Sequence, residues 1–503
     1  MFKNALISVS DKTGLVEFLK PLQAKGMRIV STGGTAQHLM ENGLSVIDVS
    51  EQTKFPEVMG GRVKTLHPSI HMPILSRPDH PEDFQLLQDY GLEPFDLVIC
   101  NLYPFEAAVE KKLKGAELIE KIDIGGPTVL RASAKNFTQV TVVCDPKDYS
   151  SLAGKESISF EERKRLAAKV FAHVSSYDSL VASELGSGWG SEYSMGGHKV
   201  MDLRYGENPQ QSAAWYRSLA DQKGLHKAEI LQGKVLSYNN LLDLDAASSL
   251  VRNFSEPAAV AVKHNNPCGA AIDKNLFGAL EKAVKSDPVS VFGGIIATNR
   301  RIDQAEAELL GTIFLECVVA PDYSAEALNV FSKKKNLRIL KWSELSEPQA
   351  DFEMKTIAGG FLLQAKDSIG SDAKTWKFVS QGPSPEVLRD LEFGEKVCSS
   401  LKSNAIAIVK NGQTLGLGMG QVNRVDSVKH AIERMKTHFG DVKDTVLVSD
   451  AFFPFPDSME IAAAAQVKWV LQPGGSLKDE DVISAAQKSK INMVLTGVRH
   501  FKH

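Results

Sequence analysis

The sequence predicts an α/β protein in two domains, and three observations carry that reading. Short apolar runs of strand length alternate with helix-period segments in both halves of the chain. Polar residues follow directly on those apolar runs. A Gly/Ser-rich stretch with little apolar periodicity, LGSGWGSEYSMGGHK (185–199), separates the halves. At 503 residues the chain also exceeds what one ordinary core organises. The boundary is placed near residue 195, giving domains 1–195 and 196–503.

In the first domain, ALISVS (5–10) leads into a helix-like DKTGLVEFLKPLQAKG, and MRIVST (27–32) leads into GGTAQHLMENG. DLVICNLYPF (96–105) and QVTVVCD (139–145) are two further buried strands. Such alternation predicts a parallel sheet covered by helices, with ligands at the carboxyl ends of its strands. Ser8, Ser10, Lys12, Thr32, Gly33, Asn101 and Tyr103 fall at those ends. The second domain holds two strand-and-helix stretches. One contains AAVAVKHNNPCGAAI and VSVFGGIIATN. The other contains NAIAIVKNGQTLGLGMGQ, TVLVSDAFFPF, VKWVLQPGGS and INMVLTGVRHF. Asn411-Gly412 between apolar runs marks a hairpin. The two stretches hint at related subdomains, but no sequence repeat proves duplication.

Composition narrows the function classes. Hydrophobic residues make up 43% and charged residues 24%, as in an average globular protein. With 58 basic against 61 acidic residues the net charge is −3, and no basic stripe marks a nucleic-acid partner. Lys333-Lys334-Lys335 reads as a solvated run. Five scattered cysteines argue against a disulfide framework and for a reducing compartment. The start, MFKNALISVS, has no signal-type apolar region, and no apolar run approaches membrane-span length. A cytoplasmic location is expected.

The chemistry-bearing motifs come next. Thr32-Gly33-Gly34-Thr35 and Asp123-Ile124-Gly125-Gly126 are Gly-Gly turns ahead of helices, where backbone N–H groups and the helix dipole favour an anion. With Ser10 and Lys12 they suggest a phosphate-sized site. GGRVKTLHP (60–68) sets Arg62, Lys64, Thr65 and His67 in a segment that is not a helix interior. His67 also reads as a residue that satisfies backbone groups beside Pro68, Tyr103 as a buried ring, and Lys135 alone as a surface lysine. In AVAVKHNNPCGAA (259–271) a buried strand ends in Lys263-His264. A histidine there suits acid/base work, and the adjacent lysine is expected to disfavour its charged form. HNNPCG departs from the zinc-deaminase pattern H-x-E…P-C-x-x-C: no glutamate follows His264 by two, and position 271 is alanine. No catalytic metal is expected.

SVSDKTG, STGGTA, GGRVKTLHP, NLYPF and DIGGPTVLRASAKN, in that order, resemble the cyclohydrolase motifs of the AICAR transformylase/IMP cyclohydrolase family. LRYGENPQQ, KHNNPCG, DPVSVFGG, LECVVAPDY, LKSNAIAI, GQVNRVDS, SDAFFPF and TGVRHF resemble its transformylase motifs. The resemblance implies a methylglyoxal synthase-like domain followed by two cytidine deaminase-like subdomains without zinc. It implies formyl transfer from 10-formyltetrahydrofolate to AICAR, then closure of FAICAR to IMP with loss of water. Nucleotide binding in the first domain is implied for Ser10, Lys12, Thr32, Gly33, Gly34, Thr35, Arg62, Lys64, Thr65, Cys100, Asn101, Asp123 and Ile124. Lys64, Tyr103, Asp123 and Lys135 are implied around the closing ring, Lys135 as acid/base. Thr32 stands where some members carry serine, which keeps the hydroxyl.

In the second domain Lys263 and His264 are the implied catalytic pair. Arg204, Tyr205, His264, Gly293, Glu316, Asn404, Arg424 and Arg499 are implied on the AICAR side, and Val425, Phe452, Pro454, Phe455, Asp457 and Ser476 on the folate side. Glu316 stands where some members have aspartate. Family analogy also implies a homodimer. Two other readings compete: a ligand-sensing first domain, which needs no proton-transfer pair such as Tyr103 and Lys135, and a deaminase-like metalloenzyme. A binding-only protein fits least, because many titratable groups follow buried strands.

Overall fold

The computed structural model describes residues 2–221, 223–347 and 352–503. These form two compact units. One runs through His198 and takes in the short segment that begins at Ser218; the other comprises Lys199–Arg217 and the residues from Lys223 to His503.

The first unit is built on a five-stranded sheet. From edge to edge its strands are Ile47–Asp48, Arg28–Ser31, Asn4–Ser8, Leu97–Cys100 and Thr141–Val143, all parallel. Alternation sends Leu6, Val30, Val98 and Val142 to one face, among residues of helices Gly125–Lys135 and Phe160–Leu185. Ala5, Ile7, Ile29, Leu97, Ile99 and Val143 go to the other, with helix Leu15–Gln23. Burial on both faces explains why these strands read as continuous apolar runs. The chain moves outward from Asn4–Ser8 to one edge, then restarts on the other side with Leu97–Cys100. The carboxyl ends of those two neighbours therefore flank a topological switch point.

The second unit carries a twelve-stranded mixed sheet with a repeated plan. Each half begins with a fourteen-residue helix, Tyr238–Val251 or Pro385–Cys398. Each continues with an antiparallel hairpin, Ala258–Lys263 with Asn266–Ile272 or Ile406–Lys410 with Gln413–Gly418. Three mutually parallel strands follow: Ile295–Thr298, Cys317–Ala320 and Arg338–Lys341 in one half, Thr445–Ser449, Val467–Gln472 and Asn492–Leu495 in the other. The halves meet where the hairpins pair antiparallel, Ala271 opposite Gln413.

The repeat extends to single residues. Asp243 and Asp390 hold the same place in their helices, and each carboxylate accepts backbone N–H bonds from its own hairpin turn, Asn265 at 2.6 Å and Asn411 and Gly412 at 2.7 Å. Lys263 and Lys410 each end a strand and donate to a main-chain carbonyl, Phe292 at 2.8 Å and Lys443 at 2.7 Å. The duplication hinted at in sequence is thus plain in the fold.

Candidate active sites

In the first unit, the carboxyl ends of three adjacent parallel strands open into one cavity of about 910 Å³. Ser8 and Ser10 enter it from strand Asn4–Ser8 and the loop after it, Thr32 from the end of Arg28–Ser31, and Cys100, Asn101 and Tyr103 from the end of Leu97–Cys100. Helices Gly33–Glu41 and Gly125–Lys135 both begin at the cavity, and Gly34 and Gly125, first-turn residues whose N–H groups have no intrahelical acceptor, line it from two directions. Of the residues expected to bind or close the nucleotide ring, Ser10, Lys12, Thr32, Gly34, Thr35, Arg62, Lys64, Thr65, Cys100, Asn101, Tyr103, Asp123 and Ile124 line it.

Gly33 lies just behind, bordering a smaller recess. Its φ of +39° and the Lys64 ammonium, 3.2 Å from where a Cβ would stand, explain the glycine. Lys135 is different. It is exposed at the far end of its helix, about 15 Å along the axis from Gly125 at 1.5 Å per residue. It does not line the cavity of its own chain. The motif DIGGPTVLRASAKN reads as one patch, but as a helix it runs away from the site that its first residues build.

Several of these side chains shape the cavity more than they offer free groups. Asn101 accepts the N–H of Ser10 at 2.6 Å and of Asp11 at 2.9 Å, and returns a bond to the Asp11 carbonyl. It clamps the SVSDKTG loop. The Thr35 hydroxyl bonds both backbone groups of Val9, and Ser8 and Thr32 share a bond of 2.9 Å. Asp123 accepts the N–H of Gly126 at 2.8 Å and of Tyr103 at 3.2 Å. A Cβ on Gly126 would come within 2.6 Å of that carboxylate, so the turn requires glycine.

Burial, then the Asp123 charge, raises the Tyr103 phenol above its ordinary range, so at neutral pH it is a donor. The same two causes push up the Cys100 thiol, which stays protonated. Lys12 and Lys64 have no carboxylate partner among the described residues, whereas Arg62 pairs with Glu120 across the exposed rim. His67 accepts the N–H of Ser69 and caps helix Pro68–Leu75, the backbone role anticipated beside Pro68.

Sequence reasoning missed Glu120, Met59 and Ile122 in the lining. It also missed Tyr177, whose hydroxyl accepts the Asp123 N–H. Tyr177 lies in no motif and is 54 residues distant in sequence, so no local signal could have found it.

In the second unit, Lys263 ends a strand and His264-Asn265 form a two-residue hairpin turn with φ of +53° and +62°. Left-handed backbone is uncommon for a residue with a Cβ, and His264 is exposed at this turn. Lys263 and His264 line a groove of about 350 Å³ with Asp287, His430 and Arg434, none of them anticipated. Lys263 reaches the carbonyl of Phe292, next to Gly293, whose N–H donates to Phe314 at 2.7 Å. Glu316 follows, with its N–H on Gly294 and its carboxylate on Arg338 at 2.7 Å.

On the other side of the turn the Asn266 carboxamide meets the Lys402 N–H at 3.4 Å. Beyond lies a buried network in which Arg424 binds Asp450, Ser449 and Asn404. The tail closes on it: His500 N–H donates to the Asp450 carbonyl at 2.9 Å, and Lys502 and Ser403 exchange backbone-directed bonds. Phe452, Pro454, Phe455, Asp457 and Ser476 follow the carboxyl ends of Thr445–Ser449 and Val467–Gln472, while Val425 sits beside Arg424. Arg204 lies over the Tyr205 ring at 5.7 Å, on the segment after Leu203. One end of the sheet therefore gathers Lys263, His264, Gly293, Glu316, Asn404, Arg424 and Arg499, though no single cavity encloses them all. Among the described residues no group of three or more His, Cys, Asp or Glu side chains is arranged to hold a metal.

The α/β fold thus presents two candidate sites. One site is an anion-ready cavity with lysine and tyrosine donors, and the other is a lysine–histidine hairpin turn. A family model described as the AICARFT/IMPCHase bienzyme matches residues 133–434, and one described as an MGS-like domain matches residues 14–128. The chain is 47% identical over 513 residues to the bifunctional purine biosynthesis protein PurH of Thermoanaerobacter sp. (strain X514), covering both chains fully. It is equally similar, over 515 residues and again the whole of both chains, to that of Bacillus cereus (strain B4264). A crystal structure of ForH is 33% identical over 37% of this chain and 97% of that one, with a TM-score of 0.33. The chain belongs to the AICARFT/IMPCHase bienzyme family.

Proposed function

We propose that this chain transfers the formyl group of 10-formyltetrahydrofolate to AICAR in the second unit, and closes the resulting FAICAR to IMP in the first. The observation that carries the second assignment is the single cavity that joins Lys12, Lys64, Tyr103 and Asp123 to two helix N-termini. A nucleotide phosphate is matched by the N–H groups and Lys12. Ring closure brings the carboxamide nitrogen onto the formyl carbon and then expels water. Holding the two groups together supplies roughly 7–11 kcal/mol of the barrier. Tyr103 and Lys64 donate to the alkoxide that forms on the tetrahedral carbon, and the proton shed by the attacking nitrogen converts it to a hydroxyl; protonated Tyr103 can then hand its proton to the departing hydroxide and regain one from the formamido nitrogen as the ring C=N bond forms.

In formyl transfer, the weakly nucleophilic 5-amino group attacks the formyl carbon while His264 takes its proton, and the tetrahydrofolate nitrogen leaves protonated. Arg204 and Arg499 supply forked donors for the AICAR phosphate and carboxamide, and Arg424, held by Asp450 and Ser449, positions Asn404 on the same side. Phe452, Pro454 and Phe455 offer walls to a pterin. The proposed domains remain 1–195 and 196–503, in a cytoplasmic homodimer. In such a dimer Lys135, which faces away from its own cavity, acts on a closing ring only when a second copy presents it.

The test is to feed AICAR with 10-formyltetrahydrofolate and, separately, FAICAR. His264→Ala should abolish FAICAR formation and leave closure of added FAICAR intact, while Lys64→Ala should do the reverse. Loss of both steps in a folded His264→Ala protein would sink the two-site reading. Mixing inactive Lys135→Ala and Lys64→Ala subunits should restore part of the closure activity if Lys135 serves a neighbouring copy.

A further inference from the structure

We propose that Tyr177 is a positioning residue of the ring-closing site and acts through Asp123. The inference rests on the reading that this cavity closes the ring. Tyr177 lies on helix Phe160–Leu185, with its ring buried edge-on to Phe105 at a centroid distance of 6.0 Å. Its hydroxyl accepts the N–H of Asp123 at 2.8 Å and donates to the carbonyl of Lys121 at 3.2 Å. One side chain thus fixes both ends of the short turn that presents the Asp123 carboxylate.

That carboxylate in turn accepts the N–H groups of Tyr103 and Gly126. It sets the backbone of the half-exposed tyrosine and the first turn of helix Gly125–Lys135. A hydroxyl outside the cavity therefore governs two elements of its wall. Phenylalanine would keep the ring packed but leave the Asp123 N–H and the Lys121 carbonyl without this partner. Burial pushes the Tyr177 phenol up to about 12, so it keeps its proton, and with it the bond to Lys121, through the neutral range.

The experiment uses the full chain with Tyr177→Phe, Asp123→Asn and the double variant, assayed with added FAICAR and, separately, for formyl transfer. For Tyr177→Phe the kcat of ring closure should fall about tenfold, because small misplacements of a reacting group are costly. KM for FAICAR should change by less than about twofold, and formyl transfer should not change. On the Asp123→Asn background the same substitution should cost less than about twofold, since its effect runs through that carboxylate. An unchanged kcat in Tyr177→Phe, or the full loss repeated on the Asp123→Asn background, would overturn the proposal. Asp123→Asn protein that closed the ring at full rate would instead remove the site assignment itself, and this inference with it.

Discussion

The hairpin turn of the second half is an internal reference for the one that carries His264. Both turns have two residues with positive φ, +53° and +62° at His264-Asn265, +53° and +67° at Asn411-Gly412. An aspartate on the preceding helix accepts from the backbone of each. Asn-Gly is the favoured pair for this geometry, and His-Asn is not. Transplanting the reference, as His264→Asn with Asn265→Gly, should therefore stabilise the unit while destroying formyl transfer.

A residue with a Cβ loses about 1–2 kcal/mol in left-handed backbone, and asparagine loses less than histidine. Glycine at the second position removes the remaining strain, but frees the unfolded chain by about 0.5–1 kcal/mol. The net gain is about 1 kcal/mol, or about 2 °C in the unfolding transition of a domain this size. Scanning calorimetry measures the shift, and the two assays with AICAR and FAICAR measure the activities. Formyl transfer should be lost and ring closure retained. A transition lowered by 2 °C or more would refute the idea that this turn accepts strain to place a histidine. Surviving formyl transfer would refute the role of the histidine.

Other consequences can be checked in the same preparations. Gly33→Ala places a methyl 3.2 Å from the Lys64 ammonium at a backbone φ of +39°, so ring closure should fall at least tenfold with formyl transfer intact. His500 lies between Asp367 at 2.7 Å and Glu395 at 3.5 Å. Despite the opposing effect of burial, the two carboxylates raise its pKa to about 9. Because the folded value lies above the unfolded one, its stabilisation is complete below about 6.5, declines as pH rises and is gone above about 9. Melting curves recorded from pH 6 to 10 should show this loss, and His500→Gln should flatten it; parallel curves would contradict the pairing. Burial raises all five cysteine thiols, so brief treatment with iodoacetamide at pH 8 should leave both activities unchanged, as activity assays before and after will report.

The first unit was the easier to read from sequence. Its strands are buried on both faces, so Ala5–Ile7, Ile29–Val30 and Leu97–Ile99 announce themselves as apolar runs, and the residues after them are the cavity wall. The use each side chain makes of its groups was hidden. Asn101 and Thr35 stand in ligand motifs yet bond their own chain, because closing a loop and binding an anion call for the same residue types. Lys135 shows the limit of motif proximity, since a contiguous string wound into a helix cannot all face one cavity. Tyr177 shows the converse: an adjacency made by packing leaves no trace in local sequence.

In the second unit the sequence only hinted at the duplication, because it is kept in constraints rather than in strings. An aspartate recurs where a carboxylate must accept the N–H groups of a turn, and a lysine recurs where a strand ends near a carbonyl. Gly269 and Gly416 recur where a hairpin strand presses on the carbonyls of Ala283 and Ala431. The halves meet antiparallel, so the His264 turn lies beside the opening of the other hairpin, near Lys402. That places the amino ends of one parallel set, with Gly293 and Glu316, at the same end of the sheet as the carboxyl ends of the other, with Asp450. The opposite end holds the equivalent turn, where Asn411-Gly412 offers no titratable side chain. Only the end with His264 combines an acid/base group with the Asn404–Arg424–Asp450 network. The doubled fold thus carries the lysine–histidine turn and the Asn404–Arg424–Asp450 network at the same end of its sheet.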